Sequence, residues 1–437
     1  MSADIMAREP GLIQGRLAQI AALLGDRVLV WFGIRGDDAA PFLRIPQFRE
    51  SFAITAPLLA GKLDTSVALE DITGRRVDLD AYDIDFDERR EVQQFRARLL
   101  RSLARPSAVT TYRPSHFLSA LSFGSRATSD HLGLFKDRQA AFEHKPWVET
   151  ELNALGIQTI PWEYVPTEHR GSISQRLGNG PIILRPSRTS GGAGIEMVEA
   201  DDEVETCWRD DSTHLMGVSP YFDDAVPINV GGCVFDGFEV TLHPCSMQLI
   251  GVASFTHRRF GYCGNDFVAV HQIDEAMLGE IDATSRAVGR WLATMGYRGA
   301  FGVDYLIVGD RLYFAEVNPR MQGSTRLSCA LASKTDHLDI CLDHLSAFLG
   351  LPPVESLTLA DWRAEVPAAA QLIKHNVQRR PVEAGDARAE LGLGSSTTVT
   401  LEPSPGVKVE PGGVLWRIEF DHQITTTGFD VIGLTPS

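Results

Sequence analysis

The chain has 437 residues, 44% of them hydrophobic and 22% charged, with a formal net charge of −16. That length exceeds one small domain and suits about three. The acidic balance excludes a polynucleotide or an anionic membrane as partner, because both bind through basic patches; a local basic pocket for one nucleotide stays compatible with it.

The N-terminus carries Asp4, Arg8 and Glu9, then an amphipathic pattern of Ile13, Leu17, Ile20 and Leu24. It lacks the long apolar core of a signal peptide. No uncharged apolar stretch reaches the roughly 18 residues that span a bilayer. The six cysteines, Cys207, Cys233, Cys245, Cys263, Cys329 and Cys341, form no CxxC pair. Such sparse thiols suit a reducing compartment, with neither a disulfide framework nor a zinc knuckle. The expectation is a soluble, cytoplasmic protein.

Arg27 to Phe32 is a short apolar run with β-branched residues, read as a buried strand. The loop after it, Gly33-Ile-Arg-Gly-Asp-Asp38, has a Gly-x-x-Gly that fits a strand-exit turn better than a phosphate motif. Asp85 to Leu103 has helical spacing and a charged face. This alternation predicts an N-terminal α/β domain over 1–115. A helix is predicted from Pro146 to Leu155, where proline suits the first turn, and it stops at Gly156. Ile157–Ile160 and Pro181–Leu184 read as strands, and Asp236–Val252 holds two alternating stretches. A helix over 274–295 precedes a hairpin, Gly302–Val308 and Leu312–Glu316 around a Gly309-Asp310 turn. Another helix is expected over 335–349, and the tail from about residue 380 reads as β-rich.

Two segments carry chemistry. Asp304 lies on the first hairpin strand, and Glu316 and Asn318 close the second. Residues two apart on a strand share a face, so Glu316 and Asn318 point the same way, with Asp304 across from them. Two carboxylates and an amide oxygen are hard ligands that suit Mg²⁺ on ATP phosphates, and Arg320 just beyond suits a phosphoryl group. Composition alone also allows an edge-strand acid followed by an Asn-Pro turn. The second segment runs from Leu184 through Arg185 into a loop with Ser190, Gly191, Gly192 and Gly194. Small residues let backbone N–H groups approach phosphate oxygens. The loop is neither a Walker A nor a dinucleotide fingerprint, and an ordinary loop is the competing reading.

In this order the pieces resemble the ATP-grasp superfamily over roughly residues 130–350. Lys145 resembles the family's first ATP-binding lysine, with Lys136 as runner-up. Arg185 stands where a second phosphate-binding lysine is usual, exchanging a point contact for a fork. Thr189–Gly194 is similar to the glycine-rich lid, and Val218–Phe222, with Ser219, Tyr221 and Phe222, to the linker against adenine. The acid usual for the ribose leaves Asp223, Asp224 and Asn229 as candidates. Gly299–Asp304 and Glu316–Arg320 resemble the two metal-ligand strands.

The resemblance implies an α/β ATP-grasp fold. A Rossmann-like domain over 1–115 would precede the grasp over 116–350, whose lid subdomain spans about 145–220, and a C-terminal element over 351–437 would follow. It implies ATP with two Mg²⁺ ions, or Mn²⁺ in their place, small carboxylate and amine substrates, and the homodimer common in the family. The implied reaction is amide formation through an acyl phosphate, with an amino acid or peptide as the narrower substrate class. Between linker and hairpin, Arg258 and Arg259 could clamp a substrate carboxylate, and Ser246 and Gln248 could line the same pocket. His337, Cys341 and His344 share a helical face with metal-like spacing, but the leucines beside them make an ordinary packed helix the better reading. The rival readings are a biotin-carboxylase-like carboxylase, an ATP-grasp phosphotransferase and a nucleotide-binding protein without chemistry.

Overall fold

A computed structural model describes residues 11–55, 62–119, 128–167, 173, 180–189, 191–208, 215–385 and 397–432. Ser190 lies outside the described residues. The N-terminal part is a five-stranded parallel sheet in the order Thr65–Ala68, Phe48–Ala53, Val28–Gly33, Ser107–Thr111, Ser129–Leu132. Val28–Gly33 is its central strand, and burial on both faces explains its continuous apolar run. Helices Leu12–Leu24 and Arg90–Ser102 contribute Ile20, Val92, Phe95 and Leu99 to this core.

A small antiparallel sheet follows, in the order Glu163–Pro166, Leu215–Pro220, Ile182–Pro186, Glu196–Val198. The predicted strand at 157–160 reduces to an isolated bridge between Thr159 and Phe314. The largest sheet has nine strands. From one edge it runs Arg311–Asn318, Gly299–Val308, Val226–Val234, Ser246–Ile250, Tyr262–Asp266, Ala370–His375, Val414–Phe420 and Thr398–Thr400, and Val240–Leu242 pairs with Val226–Val234. Sequence patterning does not reveal Val226–Val234, which carries Pro227, Gly231 and Gly232. Its pairing with Gly299–Val308 explains the glycine: a Cβ on Gly232 would stand 2.6 Å from the Phe301 ring.

The helix predicted over 335–349 is present but begins later, as Ile340–Phe348, and an unpredicted helix, Thr325–Lys334, precedes it. Asp336 between them takes a left-handed φ of 58°, and the Asp339 carboxylate accepts from Cys341 N and Leu342 N to start the second. The tail is β-rich as expected, yet its strands extend the central sheet. Arg76, fully buried, holds Glu70 in two bonds (2.6 and 2.9 Å) and donates to Val414 O (2.9 Å), pinning the N-terminal part to a C-terminal strand.

Candidate active site

The hairpin turns at Gly309, whose φ is 59°. Tyr305 pairs with Phe314, but its neighbour Asp304 pairs with Glu316, so Ala315 is the extra residue of a β-bulge. Leu312 and Phe314 pack into the core. Strict alternation would carry Glu316 and Asn318 onto that same face. The bulge changes the phase: Val317 enters the core, while Glu316 and Asn318 line the cavity on the other side. Asp304 faces them as its sequence position predicts.

Asp304 is held by three side-chain amides. Asn229 Nδ2 (2.6 Å) and Gln248 Nε2 (3.1 Å) donate to Oδ1, and Asn318 Nδ2 (2.9 Å) donates to Oδ2. Ser324 Oγ donates to Asn229 Oδ1 (2.8 Å), which fixes the orientation of that amide. Asn229, expected among the nucleotide contacts, lines the cavity and also supports Asp304. Burial, then the nearby Glu316 charge, pushes the Asp304 carboxyl up to about 7. Burial also pushes Glu316 up, but Lys145, Arg320 and Arg185 outweigh it and hold that carboxyl below its usual range. The Asn318 side-chain oxygen, Oδ1, accepts no hydrogen bond among the described residues. Two opposed carboxylates and a spare amide oxygen form a hard donor set, and a divalent cation between them would relieve their repulsion. The residues therefore fit a magnesium-type ion.

Lys145 Nζ forms an ion pair with Glu316. The arginine at 185 is 3% exposed and binds Glu149 (2.5 Å) and Tyr164 Oη (2.6 Å), with its guanidinium 3.8 Å from the Trp162 ring centroid. It still lines the cavity, as does Arg320, which lies 6.0 Å from the Tyr112 ring centroid. Lys145 does not line it, and reaches it only through Glu316.

The cavity is about 270 Å³. Its apolar end is built by Ile160, Trp162, Ile183, Tyr221, Phe222 and Leu306, beside Ser219. Phe222 stacks on Tyr313 at 5.4 Å. Gly191 and Gly192 cover it with φ of 57° and 73°. A Cβ on Gly191 would meet the Asp80 carboxylate at 2.2 Å, and one on Gly192 the Phe260 carbonyl oxygen at 2.1 Å. Only glycine permits both the turn and these approaches. Gly194, also left-handed at 75°, lies outside the lining, as does Ser246, whereas Gln248 is in it.

The structure does not bring Arg258 or Arg259 into the lining. Arg258 pairs with Asp78 and with Asp80 (3.1 Å), and Arg259 is half exposed beside Glu199 at 3.5 Å. His337, Cys341 and His344 do not converge: His337 pairs with Glu355 and Glu365, Cys341 with Cys329 at 3.5 Å, and His344 with Ala300 N and Leu132 O. Cys329, Asp339 and Cys341 cluster nearby, but Asp339 is engaged as a helix cap and with Arg44, and burial pushes both thiols up. Sequence patterning misses Arg35, Tyr112, Trp162 and Gln322. Of these, Arg35 alone carries a signal, its place in the Gly33–Gly36 turn.

Residues 151–324 match the ATP-grasp domain family. Formate-dependent phosphoribosylglycinamide formyltransferase of Rhodococcus jostii is 29% identical over 215 residues, 47% of this chain and 49% of that one. The Bordetella parapertussis protein of the same name is 26% identical over 247 residues, 52% and 53% of the two chains. The chain thus spans about half the length of the curated relatives it matches. Among solved structures, biotin carboxylase of Campylobacter jejuni covers 91% of this chain and 88% of its own, with a TM-score of 0.59 and 12% identity. N5-carboxyaminoimidazole ribonucleotide synthetase of Thermus thermophilus covers 90% and 94%, with a TM-score of 0.57 and 16% identity. Domain match and fold agree: residues 151–324 carry an ATP-grasp domain. Its α/β architecture is the ATP-grasp fold, preceded by a parallel-stranded N-terminal sheet.

Proposed function

We propose that the chain is an ATP-dependent ligase that joins a carboxylate to an amine. The observation that carries this reading is the meeting of Asp304, Glu316 and Asn318 with Arg185 and Arg320 in one cavity under a glycine lid. A substrate carboxylate attacks the γ-phosphorus of ATP, the bond to the β–γ bridging oxygen breaks, and ADP leaves. The amine then attacks the acyl carbon, phosphate departs, and an amide remains after proton loss. Asp304, Glu316 and Asn318 would hold Mg²⁺, or Mn²⁺, which neutralises charge on the phosphate oxygens. Arg320 and Arg185 face the same charge from the protein side, so catalysis rests on positioning and preorganised electrostatics. The apolar end between Trp162 and Phe222 suits a purine.

In its narrower form the reading takes an amino acid or peptide as substrate. The relatives' name makes formate a second candidate acid. The test is a screen of acids and amines in pairs, reading phosphate release with mass spectrometry of the product. A ligase releases phosphate only when both partners are present. Release with acid alone, leaving a stable phosphorylated product, would instead identify a phosphotransferase. Glu316→Gln is expected to lower kcat/KM about 100-fold or more, because the loss of a metal ligand removes several kcal/mol of charge stabilisation. A protein that binds nucleotide without chemistry would show no turnover to lose.

A further inference from the structure

The cavity has a second end, away from the apolar one, built largely by the N-terminal part. Arg35 there is only 6% exposed yet lines the cavity. It stands in the Gly33–Gly36 turn at the exit of the central parallel strand. Its Nε donates to Asp38 (2.9 Å) and its Nη2 to Tyr112 Oη (2.8 Å). Its Nη1 makes no hydrogen bond among the described residues. Asp38 is itself backed by Arg417 and stands beside Asp37, so the guanidinium is oriented from behind. Arg113 lines the same end and donates through Nη2 to Tyr82 O (2.8 Å), with its other nitrogens unbonded among the described residues. Two guanidinium groups approach Tyr112: Arg35 is 5.2 Å and Arg320 6.0 Å from its ring centroid.

A purely structural Arg35 would need only Asp38 and Tyr112. A buried guanidinium that lines a cavity and keeps one nitrogen without a protein partner among the described residues, with a second arginine in the same lining, suits oxyanion recognition. A bound oxygen would give this nitrogen the kind of partner that Nε and Nη2 already have.

We infer that the substrate other than ATP carries an oxyanion of its own, a carboxylate or a phosphate monoester, that docks on Arg35 and Arg113. This inference deepens the ligase reading and rests on it for the identity of the other groups in the cavity. Arg320 faces the reacting phosphoryl and acyl groups, and Arg35 anchors the far end of the molecule being joined. The Arg35 and Arg320 guanidinium carbons lie 5.2 and 6.0 Å from the same Tyr112 ring centroid, which places the anchoring group and the reacting end on neighbouring parts of one cavity.

The experiment is a calorimetric titration of the full chain, saturated with the magnesium complex of a non-hydrolysable ATP analogue so that the phosphoryl-transfer site is filled. Methyl phosphate and succinate are the two probes. Binding of either supports the inference and tells which oxyanion is preferred. Arg35→Gln is expected to weaken that binding about tenfold or more, the loss of one charge-assisted bond. Arg113→Gln, a change on a partly exposed residue, is the second variant in case Arg35→Gln folds poorly. Both variants should keep their affinity for the ATP analogue. Binding by neither probe, or binding unchanged in both variants, overturns the inference. Failure of the ATP analogue to bind at all would instead sink the ligase reading.

Discussion

Asp304 is the residue on which the rest of the site is arranged. Three amides satisfy its two oxygens, and one of them, Asn229, is itself oriented by Ser324. Residues that orient a metal ligand rather than touch the metal still tune its affinity. Asn229→Ala is therefore expected to weaken Mg²⁺ binding about 10- to 100-fold, with ATP-analogue affinity measured without metal left largely intact. A Mg²⁺ titration of turnover reads this directly, and an unchanged midpoint would refute the supporting role. At this scale the convergence of Asp304, Glu316 and Asn318 is legible in the sequence, because their spacing on a predicted hairpin sets them across from one another. The role of Asn229 is not legible, since nothing in Val226–Val234 announces a strand and its partner lies 75 residues on. Arg258 shows the opposite limit: a charged residue in a glycine-flanked loop suggests a clamp, and only the fold reveals Asp78 and Asp80 beside it.

At the scale of elements, the lid and the hairpin turn give two glycines in similar conformations with different demands. Gly192 has φ of 73° and its backbone presses on the Phe260 carbonyl, whereas Gly309 has φ of 59° and nothing within 4 Å of its missing Cβ. Gly309→Ala is expected to cost about 1 kcal/mol of stability and nothing in ATP affinity. Gly192→Ala is expected to keep the lid from settling, raising KM for ATP and removing the protection that an ATP analogue gives residues 189–194 against limited proteolysis. Equal behaviour of the two variants would argue against the close approach. Turn signals made the hairpin readable in advance, and apolar spacing did so for the Glu275–Thr294 helix. The late start of the helix predicted over 335–349 was not readable, because Asp336 adopts a conformation that no local pattern demands.

For the whole molecule, the nine-stranded sheet joins the hairpin at one edge to C-terminal strands at the other, and Arg76 ties the N-terminal part to it. Such long-range pairings are invisible to periodicity, which is why the tail reads as a separate small element. Global stability should also carry a signature of acid. Burial lowers His131 and His344 from 6.5 to about 4, so both are neutral in the folded chain. His344 Nδ1 accepts from Ala300 N and its Nε2 lies 3.1 Å from Leu132 O, an arrangement that needs a neutral ring. Unfolded histidines take up protons first, so the stability these groups contribute is present above about pH 6.5 and is lost as pH falls towards 4. Melting temperature measured across that window should drop, and His344→Gln should flatten part of the slope. A flat profile in the parent chain would contradict the burial of these rings.

The extra residue at Ala315 has a consequence for how this chain can change over generations. Leu312 and Phe314 face the core on one side of it, and Glu316 and Asn318 face the cavity on the other. Exchanging a side chain in that strand alters one contact. Losing or gaining one residue there rotates the strand beyond it by half a turn, which sends the acid into hydrocarbon and an aliphatic residue into the cavity. Drift in this segment is therefore tolerant of spelling and intolerant of counting.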